Sequence, residues 1–181
     1  MKIHRPYQLK IYDPSWEKKF LGKAQRLTSV LKDEVIAIHH IGSTAIPGMM
    51  AKPQIDILAV VKDLSPIPGY HGAMKKEGFT ALGDYTGIGE EYFVEDAMDN
   101  TRTASLHILP IGHPEIEKQL HFRDYLRENK TDRDVYSSVK RKLYEKYPDK
   151  YSAYDKGKEK TIKAIKKRAK QWAKSFRNRS V

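Results

Sequence analysis

The chain reads as an α/β protein of the α+β kind, a small mixed β-sheet with flanking helices and further helices at the C-terminus. Three observations predict it. A helical apolar period opens the chain, with Trp16, Phe20, Ala24, Leu27 and Leu31 on one stripe. Short β-branched runs follow, EVIAIHHI (34–41), QIDILAVV (54–61) and SLHILPI (105–111). Beyond about residue 115 the pattern turns helical as far as the tail.

Each element has a local reason. The first helix starts on a cap-like Asp13-Pro14-Ser15 and runs through WEKKFLGKAQRLTSVLKD. The run EVIAIHHI is short and β-branched, as a strand should be. QIDILAVV is almost continuously apolar, which predicts a strand buried on both faces. Between them, GSTAIPGMMAKP is rich in turn formers and small residues. After Pro66 and Pro68, GYHGAMKKEGF predicts a helix ending at Gly78, and FTALGDY and YFVE predict short strands. EIEKQLHFRDYLREN, TDRDVYSSVKRKLYEKY and one long run from about 151 to 176 predict three helices. The last carries Ile162, Ile165, Ala169, Trp172 and Phe176 at spacings of three and four, an apolar face.

Composition narrows the class. A length of 181 residues fits one domain over 1–181, with a basic helical segment from about 131 to 181. The absence of cysteine removes disulfides and thiolate metal sites. The first residues hold no apolar signal core, and no apolar run nears the roughly 20 residues of a membrane span, so a cytoplasmic protein is expected. The net charge of +11 is unevenly placed: residues 1–139 hold 18 Lys and Arg against 19 Asp and Glu, residues 140–181 hold 16 against 4. A basic tail attracts phosphates, RNA or acidic surfaces without specificity. A solvated lysine face explains the same excess.

The stretch HHIGSTAIPGMMAKPQIDILAVV carries the functional argument. Gly42 can take a positive φ and lets a ligand approach the backbone. Ser43 and Thr44 can cap a following helix whose N–H groups would face an anion. Asp56 interrupts an apolar strand, where an unpaired carboxylate is costly. It calls for either an ion pair, with Lys52 four residues earlier, or a divalent cation held opposite phosphates seated on Gly42 and Ser43. His39 and His40 face opposite ways on a strand, and His40 is the simpler of the two to line the turn.

HIGSTAIPGMMAKPQIDILAVV, with SLHILPI, LHFRDYLRENK and VYSSVKRKL, resembles the GrpB family of small bacterial proteins across most of the chain. That family in turn resembles the nucleotidyltransferase superfamily. The resemblance implies a nucleotidyltransferase-like fold and Mg²⁺ or Mn²⁺ at Asp56, serving transfer of a nucleoside phosphate to a small acceptor. The superfamily places two carboxylates at alternate positions of a strand, whereas Gln54 and Leu58 flank Asp56 here, so the pair is incomplete. His107 could serve as a replacement ligand or acid/base group. Glu90, Glu91 and Glu95 could supply missing oxygens.

In the helical half, Arg123 and Arg127 lie one turn apart and could clamp a phosphate, or be absorbed by Asp124 and Glu128. Tyr136 and Lys140 share a face, suited to a stacking ring beside a phosphate contact. Lys160 and Lys163 open a basic face on the last helix. No Gly-x-Gly-x-x-Gly, P-loop or His-Glu-x-x-His occurs. Three functions stay open: a metal-dependent nucleotidyltransferase, a non-catalytic module binding a nucleotide or phosphorylated small molecule, and an RNA-associated protein using the basic C-terminal helix.

Overall fold

The computed structural model describes residues 7–177. Helix α1 (Ser15–Leu31) is followed by β1 (Val35–Ile41) and β2 (Ile55–Val61), then α2 (His71–Lys76). Strands β3 (Thr80–Gly83), β4 (Glu91–Asp96) and β5 (Arg102–Pro110) complete the sheet. Helices α3 (Pro114–Glu128), α4 (Lys130–Lys146), α5 (Tyr151–Gly157) and α6 (Glu159–Arg177) close the described chain. The strand order is β1-β2-β5-β4-β3. Only β2 and β5 run parallel, so the sheet is mixed as expected.

The two central strands explain the apolar runs. β2 has a neighbour on each edge and helices on each face, which buries Ile55 and all of Ile57–Val61. On one face α1 and α2 lie over a core that includes Trp16, Leu27, Ile57, Phe79, Phe93 and Leu106. On the other, Leu58, Val60 and Leu109 pack beneath Ile116 and Leu120 of α3. A second core joins the loop after β1 to the C-terminal helices through Ile46, Met49, Leu126, Tyr136 and Ile165. Ile165 and Ala169 of the predicted stripe are fully buried, and the side chain of Phe176 lies outside the described residues.

Two expectations about elements are corrected. The long C-terminal helix is two helices, broken after Gly157. A Cβ on Gly157 would sit 2.5 Å from Leu143 Cδ2, so the break falls where α5 comes closest to α4. The turn at Gly42 does not open a helix. It leads into a single 3₁₀ turn, Ser43–Ala45, with no side-chain cap. The proline at 47 and glycine at 48 stop any longer helix. Among the described residues, no helix is long and apolar enough to cross a membrane.

Candidate functional site

Alternation on β2 sends Asp56 to the α3 side of the sheet, paired in register with Ile41 on β1 and Ser105 on β5. The residue after β1 is Gly42, at φ 70° and ψ −170°. A Cβ there would lie 2.2 Å from Asp56 Oδ2, so the carboxylate rests against bare glycine backbone. The other oxygen, Oδ1, accepts from Gln54 Nε2 at 2.7 Å. The same amide donates to Ser105 Oγ at 2.9 Å. Only an amide nitrogen facing Asp56 avoids opposing two acceptors, so the network fixes the Gln54 orientation. Ser105 also accepts from Tyr92 Oη at 2.8 Å. Among the described residues, no group of three or more His, Asp or Glu is placed to hold one metal ion.

Four lysines crowd this carboxylate and a second one, Asp155. A cleft of about 300 Å³ opens on Gly42, Ser43 and Asp56, and Lys52, Lys140, Lys158 and Lys166 line it. Lys140, predicted from its spacing to Tyr136, is fully buried with its ammonium 4.3 Å from that ring. It donates to Ser43 Oγ and, at 2.8 Å, to the Met50 carbonyl. Burial, then the neighbouring Lys158, hold this ammonium well below the ordinary lysine range, against the pull of Asp56. Lys52 donates to Tyr151 Oη at 2.8 Å rather than to Asp56. Lys158 pairs with Asp155 at 2.8 Å. Tyr136 is buried against Phe122, a wall rather than an exposed stacking surface.

Several predicted residues brace the site from behind. Thr44 Oγ1 donates to the Gln54 carbonyl at 3.1 Å and lies 3.0 Å from His40 Nε2, which staples the turn to the start of β2. Arg123 donates to the His40 carbonyl at 3.0 Å and forks onto Asp124, outside the cleft. Arg127 donates to the Ala45 carbonyl at 2.9 Å. The two arginines therefore pin the backbone on either side of Gly42; of the two acids expected to absorb them, Asp124 pairs with both, and Glu128 with neither among the described residues. Glu91 and Glu95 face the α1 side, where His71 and the pair Lys23 and Arg26 hold them. They cannot join Asp56, because odd positions of β4 point away from it. Glu90 instead pairs with His107.

His40 gives the turn a pH dependence. It stacks on Phe20 at 4.7 Å, and burial lowers its pKa, partly offset by Glu17. Burial lowers His39 as well. The unfolded chain then takes up protons first as pH drops below about 6.5, so stability present above that value is lost on acidification. Melting temperature is expected to fall from pH 7.5 toward 5.5, with a shallower slope in His40→Gln. Equal slopes would assign the loss to other groups.

The sequence reading passed over Gln54 as a donor, and over Ser105, Lys158 and Lys166. Lys160 and Lys163, which it chose, are exposed. A signal existed: Lys158, Ile162 and Lys166 fall at spacings of four, on one helix face that lines the cleft.

A mixed sheet whose Gly-Ser turn abuts a carboxylate strand defines a protein of nucleotidyltransferase-like fold. The Cid1 poly(U) polymerase shares that fold at a TM-score of 0.53 and 12% identity, over 76% of this chain and 42% of its own. The chain belongs to the GrpB family: the family model described as GrpB protein matches residues 6–168. GrpB from Enterococcus faecalis superposes with a TM-score of 0.86 at 32% identity, covering 91% of this chain and 99% of that one. The UPF0157 protein YqkA of Bacillus subtilis is 37% identical over 174 residues, 96% of this chain. The chain spans 50% of the length of YqkA.

Proposed function

We propose that this chain is a binding module of nucleotidyltransferase-like fold that holds a nucleotide or other phosphorylated small molecule on the Gly42–Ser43 turn. The observation that carries the reading is a cleft where four lysines face two carboxylates, Asp56 already bonded to an amide and Asp155 paired with Lys158. A phosphate dianion is favoured by that balance of charge, and Ser43 Oγ with Lys140 Nζ would receive it. A pair of divalent cations fits poorly. The positions beside Asp56 where further carboxylates would face it are Gln54 and Ser105, and the Gln54 amide directs hydrogens, not lone pairs, at Asp56 and Ser105. The cleft would keep the phosphate seat of a transfer enzyme, with Asp56 as the one carboxylate on its strand and Asp155 already paired with Lys158.

Thermal melts with ATP or pyrophosphate test this. At a ligand concentration near a hundred times Kd, the expected rise is about 5–10 °C, present without Mg²⁺ and retained in Asp56→Asn. A rise that requires Mg²⁺ or Mn²⁺ and vanishes in Asp56→Asn would instead restore metal-dependent nucleotidyl transfer. No rise with any phosphate compound would discard the cleft, and steeply salt-dependent binding of single-stranded RNA would then move the function to the basic helix.

A further inference from the structure

We infer that a small hollow beside the cleft, built on Glu90 and His107, is a second subsite that takes a hydrogen-bond-donating head group, hydroxyl or ammonium, of the same phosphorylated ligand. The inference rests on the phosphate reading of the cleft and adds the chemistry of the ligand's other end.

The Glu90 side chain is fully buried. One oxygen accepts from Thr86 Oγ1 at 2.6 Å and the other from His107 Nδ1 at 2.6 Å. The loop holding Glu90 is closed from two sides. Asp84 accepts N–H groups of Ile88, Gly89 and Glu90, and His113 Nε2 donates to the Ile88 carbonyl at 2.8 Å. Tyr92 packs on the His107 ring with centroids 4.8 Å apart. The imidazole therefore has one orientation, with its Nδ1 proton committed to Glu90. In the neutral ring that leaves Nε2 as an acceptor. Among the described residues Nε2 has no hydrogen-bond partner, whereas both ring nitrogens of the merely structural His40 face one.

His107 lines a hollow of about 200 Å³ with apolar walls from Leu58, Ile88 and Leu109. No lysine or arginine lines it, and Glu115 stands at its edge. The neighbouring cleft has the opposite character, with four lysines. Gln119 lines both spaces, and its side chain makes no hydrogen bond among the described residues. Register relates the two spaces. Asp56 is opposite Ser105, and Leu58 is opposite His107, all on one face of the sheet. His107 thus stands two residues, about 7 Å, along β5 from the position facing Asp56. The seat on Ser43 lies past Asp56 in the other direction, so a phosphate and a donor group separated by a chain of about five carbons would reach both ends.

The test compares pentyl phosphate, 5-hydroxypentyl phosphate and 5-aminopentyl phosphate by calorimetric titration. The hydroxy and amino compounds are expected to bind the wild type about tenfold more tightly than pentyl phosphate, the effect of one added hydrogen bond. In His107→Asn the amide can still donate to Glu90 but ends short of the Nε2 position. The tenfold preference should disappear there while pentyl phosphate binds as before. A measurement that needs no variant is the ¹⁵N resonance of His107 Nε2, expected to move with 5-hydroxypentyl phosphate and to stay still with pentyl phosphate. Equal wild-type affinities for the three compounds with a stationary Nε2 would overturn the subsite and leave the phosphate cleft standing. Failure of all three, ATP and pyrophosphate to bind would remove both.

Discussion

Gly42→Ala is expected to lower stability by about 2–4 kcal/mol, a melting decrease on the order of 10 °C, and to abolish phosphate binding. Two penalties combine. A residue with a Cβ is strained at φ 70°, and the new Cβ would lie 2.2 Å from Asp56 Oδ2. Neither β1 nor the turn after it can yield easily, because Arg123 and Arg127 hold the backbone at His40 and Ala45. Adding Asp56→Ala should recover the steric part and leave roughly the 1–2 kcal/mol of the backbone conformation. Chemical denaturation of the two single variants and the double variant measures the coupling. A Gly42→Ala protein that melts within 2 °C of wild type, about the resolution such a comparison needs, would mean the carboxylate does not lie against this glycine.

Lys140→Met separates charge from volume. The methionine fills much the same space and removes an ammonium that is fully buried between Ser43, the Met50 carbonyl and the Tyr136 ring. Affinity for ATP or pyrophosphate should fall about 10- to 100-fold, the effect of losing a charge-assisted hydrogen bond. Stability should change little, because relief of the buried charge offsets the two lost hydrogen bonds. A large stability loss with unchanged affinity would make Lys140 a structural strut. The same group predicts a pH effect on binding. Its pKa lies well below the usual lysine value, so affinity for phosphate should weaken as alkali removes that proton, earlier than an exposed lysine would allow. Lys140→Met should lack that decline.

Much of this was legible in the residues themselves. The α1 stripe, the two-faced burial of the IDILAVV run and the turn at Gly42 follow from period and backbone freedom over a few residues, which need no partner to be read. So does the Tyr136–Lys140 pair, one helical turn apart. The single carboxylate was visible too, since alternation on a strand assigns Gln54 and Leu58 to the face of Asp56.

What Gln54 does with its amide was settled only when β5 brought Ser105 alongside β2, 51 residues away in the chain. Arg123 looked like an anion clamp because a helix pattern records spacing and not what lies beneath it. The carbonyl of His40, 83 residues earlier, is what its guanidinium meets. Glu90, Glu91 and Glu95 formed one acidic group in the sequence and are divided by the pleat of β4 between opposite faces of the sheet. The lysines of the cleft are drawn from the loop before β2, from α4, and from the far end of the chain. Short-range periodicity therefore determined the elements and the Gly-Ser turn. The sign of the site's charge, and the long-range partners of Gln54, Lys52 and Lys140, were decided by strand order and helix docking, which join residues that local pattern cannot relate.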